Sequence, residues 1–118
     1  MELFINQDDI RSLLEYAEKV APDEAYTYQQ RAIFEMNRAN GNLTIAAECL
    51  SEAQRLEPHN VSILHSQAEL SLRRAEKART ILEKEKHFDS AAASASALIR
   101  QRPSEPHGYH TLCKVYLQ

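Results

Sequence analysis

The chain has 118 residues, 43% of them apolar, with two glycines, four prolines, no tryptophan and a formal net charge of -3. That length suits one compact unit, and so little glycine and proline among many Ala, Leu, Glu, Arg and Gln residues describes strong helix formers, which excludes a sheet-rich fold and a second domain. Met1-Glu2-Leu3-Phe4-Ile5 is not a basic segment followed by a long apolar one, and no apolar run approaches the roughly 20 residues of a membrane span, so a cytoplasmic chain without a membrane partner is expected.

Asn6, ahead of Asp8 and Asp9, predicts a first helix running to about Ala21, with the carboxylates at the positive end of the helix dipole. Asp23 and Glu24 open a second helix carrying Tyr28, Ala32 and Met36. It ends near Ala39, where Asn40-Gly41-Asn42 offers a left-handed stop and a fresh N-cap. A third helix is expected from about Leu43 to Leu56. Asn60 caps a fourth, which starts at Val61 and continues through Ile63, Leu64, Ala68 and Leu72 towards Ala78. Thr80-Ile81-Leu82-Glu83 has the form of a capping box, in which Thr80 and Glu83 satisfy one another's backbone donors. A fifth helix therefore runs from Ile81 to about Gln101. Ser104-Glu105-Pro106 opens a sixth, containing Tyr109, Leu112, Cys113 and Tyr116.

Pro22, Pro58 and Pro103 mark turns between these helices, because proline lacks a backbone N–H and restricts the residue before it. Each closes the same pattern. Upstream stand Ile10, Leu14 and Ala17, then Ala46, Leu50 and Ala53, then Ala91, Ala95 and Leu98, with offsets of four and three that keep each triplet on one helical face. Six and ten positions downstream stand Tyr28 and Ala32, Leu64 and Ala68, Tyr109 and Cys113, of which Tyr28, Ala32, Leu64, Ala68 and Cys113 read as core. Cys49 and Cys113 lack the close spacing of a disulfide framework or a thiolate metal site, and both read as reduced, buried thiols.

Tyr109-x-x-Leu112-Cys113-x-x-Tyr116 resembles the first-helix signature of the tetratricopeptide repeat, and Ala46-x-x-x-Leu50-x-x-Ala53 followed by Pro58 resembles its second-helix signature. The resemblance covers essentially the whole chain. It implies an all-α fold of about six helices, built as antiparallel hairpins stacked in a right-handed superhelix. The divisions are a half repeat over 6–22, a repeat over 23–58, an elongated repeat over 59–103 and a half repeat over 104–118. Pro22 to Pro58 spans 36 residues and Pro58 to Pro103 spans 45, so the second full repeat exceeds the family's period of about 34 by about three helical turns. Longer helices around Thr80, with apolar faces in register, would project this hairpin beyond its neighbours; a loop over 75–86 is the alternative. Arg31 and Gln67 stand where the family prefers leucine.

The half repeats at the two ends read as a segment of a longer protein, and the apolar last helix is open to self-association. Glu24 to Asn42 and Arg100 to Lys114 are similar to repeat regions attached to nucleotide-processing effector domains in bacteria. A structural spacer or regulatory arm of such a multidomain protein is therefore the second reading.

No catalytic constellation stands out. Gly41 and Gly108 cannot form a phosphate loop, and no Ser/His/Asp or Cys/His arrangement has supporting context. His107 and His110, with His65 as third ligand, are the one grouping on which a metal-assisted hydrolase could be built. Histidines fall at that spacing by chance often, so no metal, cofactor or enzymatic activity is expected.

Residues 1–72 carry twelve acidic and five basic side chains, while 73–118 carry nine basic and five acidic. The basic end includes Arg73, Arg74, Lys77, Arg79, Lys84 and Lys86, but Glu76, Glu83 and Glu85 are interleaved and no aromatic stacking platform lies among them. A solvated charged hairpin is expected there, not a nucleic-acid site. The opposite charge of the two halves favours head-to-tail contacts that weaken with salt.

What the resemblance implies instead is a scaffold that binds a protein or peptide segment in the concave groove lined by the first helix of each pair. By position the groove presents Tyr26, Gln29, Ile33 and Asn37, then Ser62, His65, Glu69 and Arg73, then His107, His110 and Lys114, with Met36 and Leu72 alongside. Family members that clamp a C-terminal carboxylate use lysine and asparagine where this chain has Gln29 and Ile33, so that ligand is not expected. Ile33 and Met36 can equally serve as core.

Overall fold

The computed structural model describes residues 7–38 and 40–117, and the side chain of Gln7 falls outside that description. Six helices follow in order: α1 Gln7–Val20, α2 Ala25–Asn37, α3 Leu43–Leu56, α4 Val61–Lys77, α5 Ile81–Gln101 and α6 His107–Tyr116. No strand occurs among the described residues, and no helix is long and apolar enough to cross a membrane.

The three proline turns are built alike. Pro22, Pro58 and Pro103 each stand two positions beyond the last residue of α1, α3 and α5. Just before each proline a backbone N–H reaches back four residues to close the helix: Ala21 to Ala17 at 3.0 Å, Glu57 to Ala53 at 2.9 Å, Arg102 to Leu98 at 2.8 Å. Two positions after each proline the next N–H returns to the residue just before it: Glu24 to Ala21 at 3.2 Å, Asn60 to Glu57 at 3.2 Å, Glu105 to Arg102 at 3.1 Å. Tyr28 and Tyr109, both six residues beyond a proline, donate their hydroxyls to the carbonyls of Pro22 and Pro103 at 2.7 and 3.0 Å. The proline has no N–H to lose in such a turn, and its carbonyl gains a fixed donor.

Side-chain caps set three of the helix starts. Asn42 Oδ1 accepts from the Thr44 and Ile45 N–H groups at 3.0 and 3.1 Å, Asn60 Oδ1 from Ile63 at 3.2 Å, and Thr80 Oγ1 from Glu83 at 3.1 Å. This last bond is one half of the capping box. Glu24 precedes α2 without a side-chain cap bond, and α6 begins directly after Pro106, not at Ser104. The Asn6 cap and Ala39, near which the second helix was expected to end, lie outside the described residues.

The turn at 40–42 departs from expectation. No described residue has a positive φ, so this stop is not left-handed. α2 ends at Asn37, Arg38 is extended, and the Gly41 N–H donates to the Arg38 carbonyl at 3.1 Å. Glycine is required for closeness instead: a Cβ at position 41 would lie 1.6 Å from the Glu35 carbonyl oxygen.

That closeness surrounds the least expected residue of the core. Glu35 is 0% exposed. Its carboxylate accepts from the Asn42 backbone N–H at 2.7 Å and from Arg11 Nε and Nη2 at 3.2 and 3.1 Å, with Arg38 Nε at 4.0 Å. One side chain therefore joins α1, α2 and the start of α3, because a buried carboxylate persists only when its lone pairs are satisfied.

Neighbouring helices pack in antiparallel pairs. Arg11, early in α1, meets Glu35, late in α2, while Arg31 in the middle of α2 meets Glu18, late in α1, at 2.9 Å. α4 touches α2 on one side and α6 on the other, whereas among the described residues α3 touches neither α1 nor α5. A gap of about 210 Å³, lined by Leu50, Leu70, Arg74 and Ser94 among others, lies between α3 and α5. The core runs between the two sets. Ala32, Ala46, Ala53, Ala68, Ala75, Ala91 and Ala95 are all completely buried, and these small side chains allow the helix axes to approach closely. Leu50, Ile63 and Leu98 fill what remains, each contributing about 1.5–3 kcal/mol by leaving water.

The long second hairpin resolves the choice at 75–86. α4 extends to Lys77, α5 starts at Ile81, and the turn between them is only Ala78 to Thr80. The extra length is helical. Its apolar faces do not meet at the tip, however: Ile81 and Leu82 are more than three-quarters exposed, and burial resumes fully at Ala91.

Candidate functional site

The eleven residues assigned to a groove all lie on α2, α4 and α6, the layer in which α4 touches both α2 and α6. Tyr26, Asn37, Ser62, His107, His110 and Lys114 are exposed; Ile33, His65, Glu69 and Arg73 are half-buried. Gln29 is different. It is 6% exposed, and its amide donates to Ser62 Oγ at 2.7 Å and Ser66 Oγ at 3.3 Å, so it ties α2 to α4. Met36 and Leu72 are buried too and belong to the core.

Contacts along this face recur at equivalent positions. Gln29 and His65 each stand seven residues after a proline, and Ser62 and His107 each stand four after the next. The first pair is hydrogen-bonded across α2 and α4; the second places its rings 5.4 Å apart, tilted by 60°, across α4 and α6. Farther along, Arg73 Nη2 donates to Asn37 Oδ1 at 3.1 Å and Arg73 Nη1 to the Met36 carbonyl at 3.0 Å. Lys114 Nζ lies 3.4 Å from Glu69 Oε1. Both partners of that last pair keep solvent contact, so it contributes about 0–1 kcal/mol and is easily exchanged for a ligand contact.

Arg31 and Gln67 prove to be another equivalent pair. Arg31 bonds Glu18 across α1 and α2, Gln67 Nε2 bonds Gln54 Oε1 at 2.9 Å across α3 and α4, and both separations are thirteen residues. The corresponding positions around Pro103 are Ile99 and Leu112, both half-buried. One packing position is thus filled by an ion pair, an amide pair and two aliphatic side chains in successive hairpins.

At the α4/α6 end the face deepens into a cavity of about 260 Å³ lined by Val61, Ser62, His65, Leu98, Arg102, Glu105, His107 and Gly108. His65 Nδ1 is buried there without a hydrogen-bond partner. A ring nitrogen in that state can donate or accept according to its tautomer, while Arg102 and Glu105 offer one charge of each sign. Val61 and Leu98 supply an apolar wall. Arg102 and Glu105 were not among the groove residues read from the sequence, because they sit in the α5–α6 turn and only its closure brings them beside His65, while Leu98 of α5 was read only as part of an apolar helical face. The fourth residue of the Pro103 turn gave the available signal, since Pro103 and Pro106 fix the path of that loop.

Among the described residues no group of three or more His, Cys, Asp or Glu side chains is placed to hold a metal ion. Of the two thiols, Cys49 is buried and Cys113 is exposed, which corrects the assignment of Cys113 to the core. Tyr28, also read as core, is only half-buried, and Tyr109 is 45% exposed. On α6 the buried residues are Gly108 and Thr111 instead.

Comparison with protein-family models, with curated proteins and with solved structures finds no match.

Proposed function

We propose that this chain is a tetratricopeptide-like interaction scaffold that binds an extended peptide along the face of α2, α4 and α6. The observation that carries the reading is the recurrence of equivalent side-chain contacts, Gln29 with Ser62 and His65 with His107, across adjacent members of that layer. A layer whose neighbouring helices touch, backed by helices that do not, is tighter on one side, which supports curvature towards that side and a concave groove along it.

The groove is polar at its α2 end, with Tyr26 and Asn37, and becomes imidazole-rich towards α6, with His107 and His110 among the mixed charges of Glu69, Arg102, Glu105 and Lys114. An extended peptide gains backbone hydrogen bonds from such amide, hydroxyl and imidazole groups, and the cavity beside His65 takes one anchor side chain. An anchor combining an apolar stem and a polar tip fits the wall of Val61 and Leu98 with His65 and Arg102 at the rim.

Selection of displayed random peptides on the purified chain, followed by calorimetry, tests the proposal. Selected sequences should bind with micromolar affinity and weaken about tenfold or more on His65→Ala or Tyr26→Ala, a loss of about 1.4 kcal/mol or more. A substitution on the opposite layer, Arg55→Ala, should leave binding unchanged. Failure to enrich any peptide, or equal loss from Arg55→Ala, would refute the groove and favour the spacer reading.

A further inference from the structure

Three positions on α6 form an exposed stripe whose counterparts in the rest of the molecule are covered. Tyr109, Cys113 and Tyr116 stand six, ten and thirteen residues after Pro103, where α2 has Tyr28, Ala32 and Glu35 and α4 has Leu64, Ala68 and Ser71. In α2 these residues are half-buried, buried and buried beneath α3; in α4 they are buried, buried and half-buried beneath α5. On α6 all three are exposed, Tyr116 to 77%.

α1 carries the matching deficit. Leu13 and Tyr16 stand nine and six residues before Pro22, where α3 has Cys49 and Glu52 before Pro58. Cys49 is in the core and Glu52 is half-buried, and both lie close enough to Tyr28 to act on its hydroxyl electrostatically. Leu13 and Tyr16 are instead 62% and 68% exposed, with Val20 continuing the apolar strip one turn on.

We infer that α6 of one molecule pairs with α1 of a second, rebuilding between copies the hairpin that α2 and α3 form within one. In that pairing Tyr109 occupies the place of Tyr28 and meets Leu13 and Tyr16 in the places of Cys49 and Glu52. The charge distribution favours the same partner: residues 1–72 carry twelve acidic against five basic side chains, and residues 73–118 nine basic against five acidic. An acidic head therefore meets a basic tail. The contact is heterologous, so it propagates instead of closing into a symmetric dimer. The inference rests on the repeat reading of the stack and not on peptide binding, since neither stripe includes a groove residue.

Two variants on exposed positions separate the outcomes. Leu13→Glu/Tyr16→Glu blocks the head and Cys113→Glu/Tyr116→Glu blocks the tail, and circular dichroism establishes that both keep the helical fold. Light scattering on a sizing column should show the unmodified chain growing in mass between about 5 and about 500 µM, the range in which micromolar contacts appear. Each variant alone should stay monomeric, and an equimolar mixture should give a discrete heterodimer, because one free tail then meets one free head. Added salt should weaken the association. An unmodified chain that remains monomeric throughout would overturn the inference and assign the stripes to another occupant. A head-blocked variant that still dimerises would overturn it in favour of α6 pairing with itself.

Discussion

Replacing Glu35 by glutamine keeps the size of the side chain and removes its charge. The carboxylate is fully buried and accepts from the Asn42 N–H at 2.7 Å and from Arg11 at 3.2 and 3.1 Å. Glutamine retains one acceptor oxygen and can serve Asn42 or Arg11, not both. A hydrogen bond to a charged acceptor contributes about 1.5–3 kcal/mol and a neutral one about 1 kcal/mol, so weakening the Asn42 bond costs about 1–2 kcal/mol. Arg11 is 31% exposed and regains water when released, which limits its share to about 1 kcal/mol. The total is about 2–3 kcal/mol, a fall in Tm of about 8–12 °C for a chain of this size.

Thermal melting followed by far-ultraviolet circular dichroism at several pH values measures both the size and the sign. Burial pushes the Glu35 carboxyl up, but the Asn42 N–H and the Arg11 and Arg38 guanidinium groups outweigh it and hold the carboxyl below its ordinary range. A carboxyl lowered in the folded state contributes its stability in full above the unfolded value of about 4.3 and loses it as pH falls through the folded value. The gap between the native chain and Glu35→Gln should therefore be widest from about pH 5 upward and narrow below about pH 4. A variant melting within about 1 °C of the native chain at neutral pH would refute the role given to Glu35, as would a gap unchanged by acid.

Gly41→Ala should cost about 3 kcal/mol or more, because its Cβ meets the Glu35 backbone oxygen at 1.6 Å; Gly108→Ala, whose Cβ lies 2.8 Å from Ile99 Cγ1 and 3.1 Å from the Ala95 carbonyl oxygen, should cost less, about 1–2 kcal/mol. Equal urea midpoints for these two variants would show that the turn is not constrained as described. Gln67→Leu alone should destabilise by about 1 kcal/mol by stranding Gln54, and adding Gln54→Ile should restore stability by making the pair resemble Ile99 and Leu112; a double variant no better than the single would contradict the equivalence. Ala68→Leu should cost about 1–3 kcal/mol through overpacking at a completely buried position, and an unchanged Tm would mean the helices do not approach there. Burial pushes the Cys49 thiol up to about 11, so at pH 8 a thiol reagent should titrate Cys113 at once and Cys49 only on unfolding.

The turns and helix limits were legible because their causes are local. A proline two residues past a helix, an asparagine or threonine one residue before the next and a run of helix formers between act over four or five positions, and α3 and α5 fall where those signals place them. The spacing of the prolines likewise located the long hairpin, but whether its extra residues were helix or a loop over 75–86 was decided only by the structure, where the turn is Ala78 to Thr80. Position relative to a proline put all eleven candidate residues on α2, α4 and α6, but did not tell which would be spent internally. Gln29 looks from the sequence like any exposed amide, and only the approach of Ser62 and Ser66 from α4 makes it a tie.

Tertiary structure alone decided the rest, because burial belongs to pairs of elements and not to one. Cys113 occupies the position of Ala32 and Ala68 yet is exposed, since the local pattern states which face is apolar and not whether another helix covers it. Glu35 shows the converse. Its neighbours in sequence mark a charged residue near a helix end, whereas Arg11, twenty-four residues away, and the N–H of Asn42 at the start of the next helix make it the buried junction of three helices. Glycine at 41 was chosen for the same reason, not for a left-handed turn but because the chain passes too close to Glu35 for any side chain.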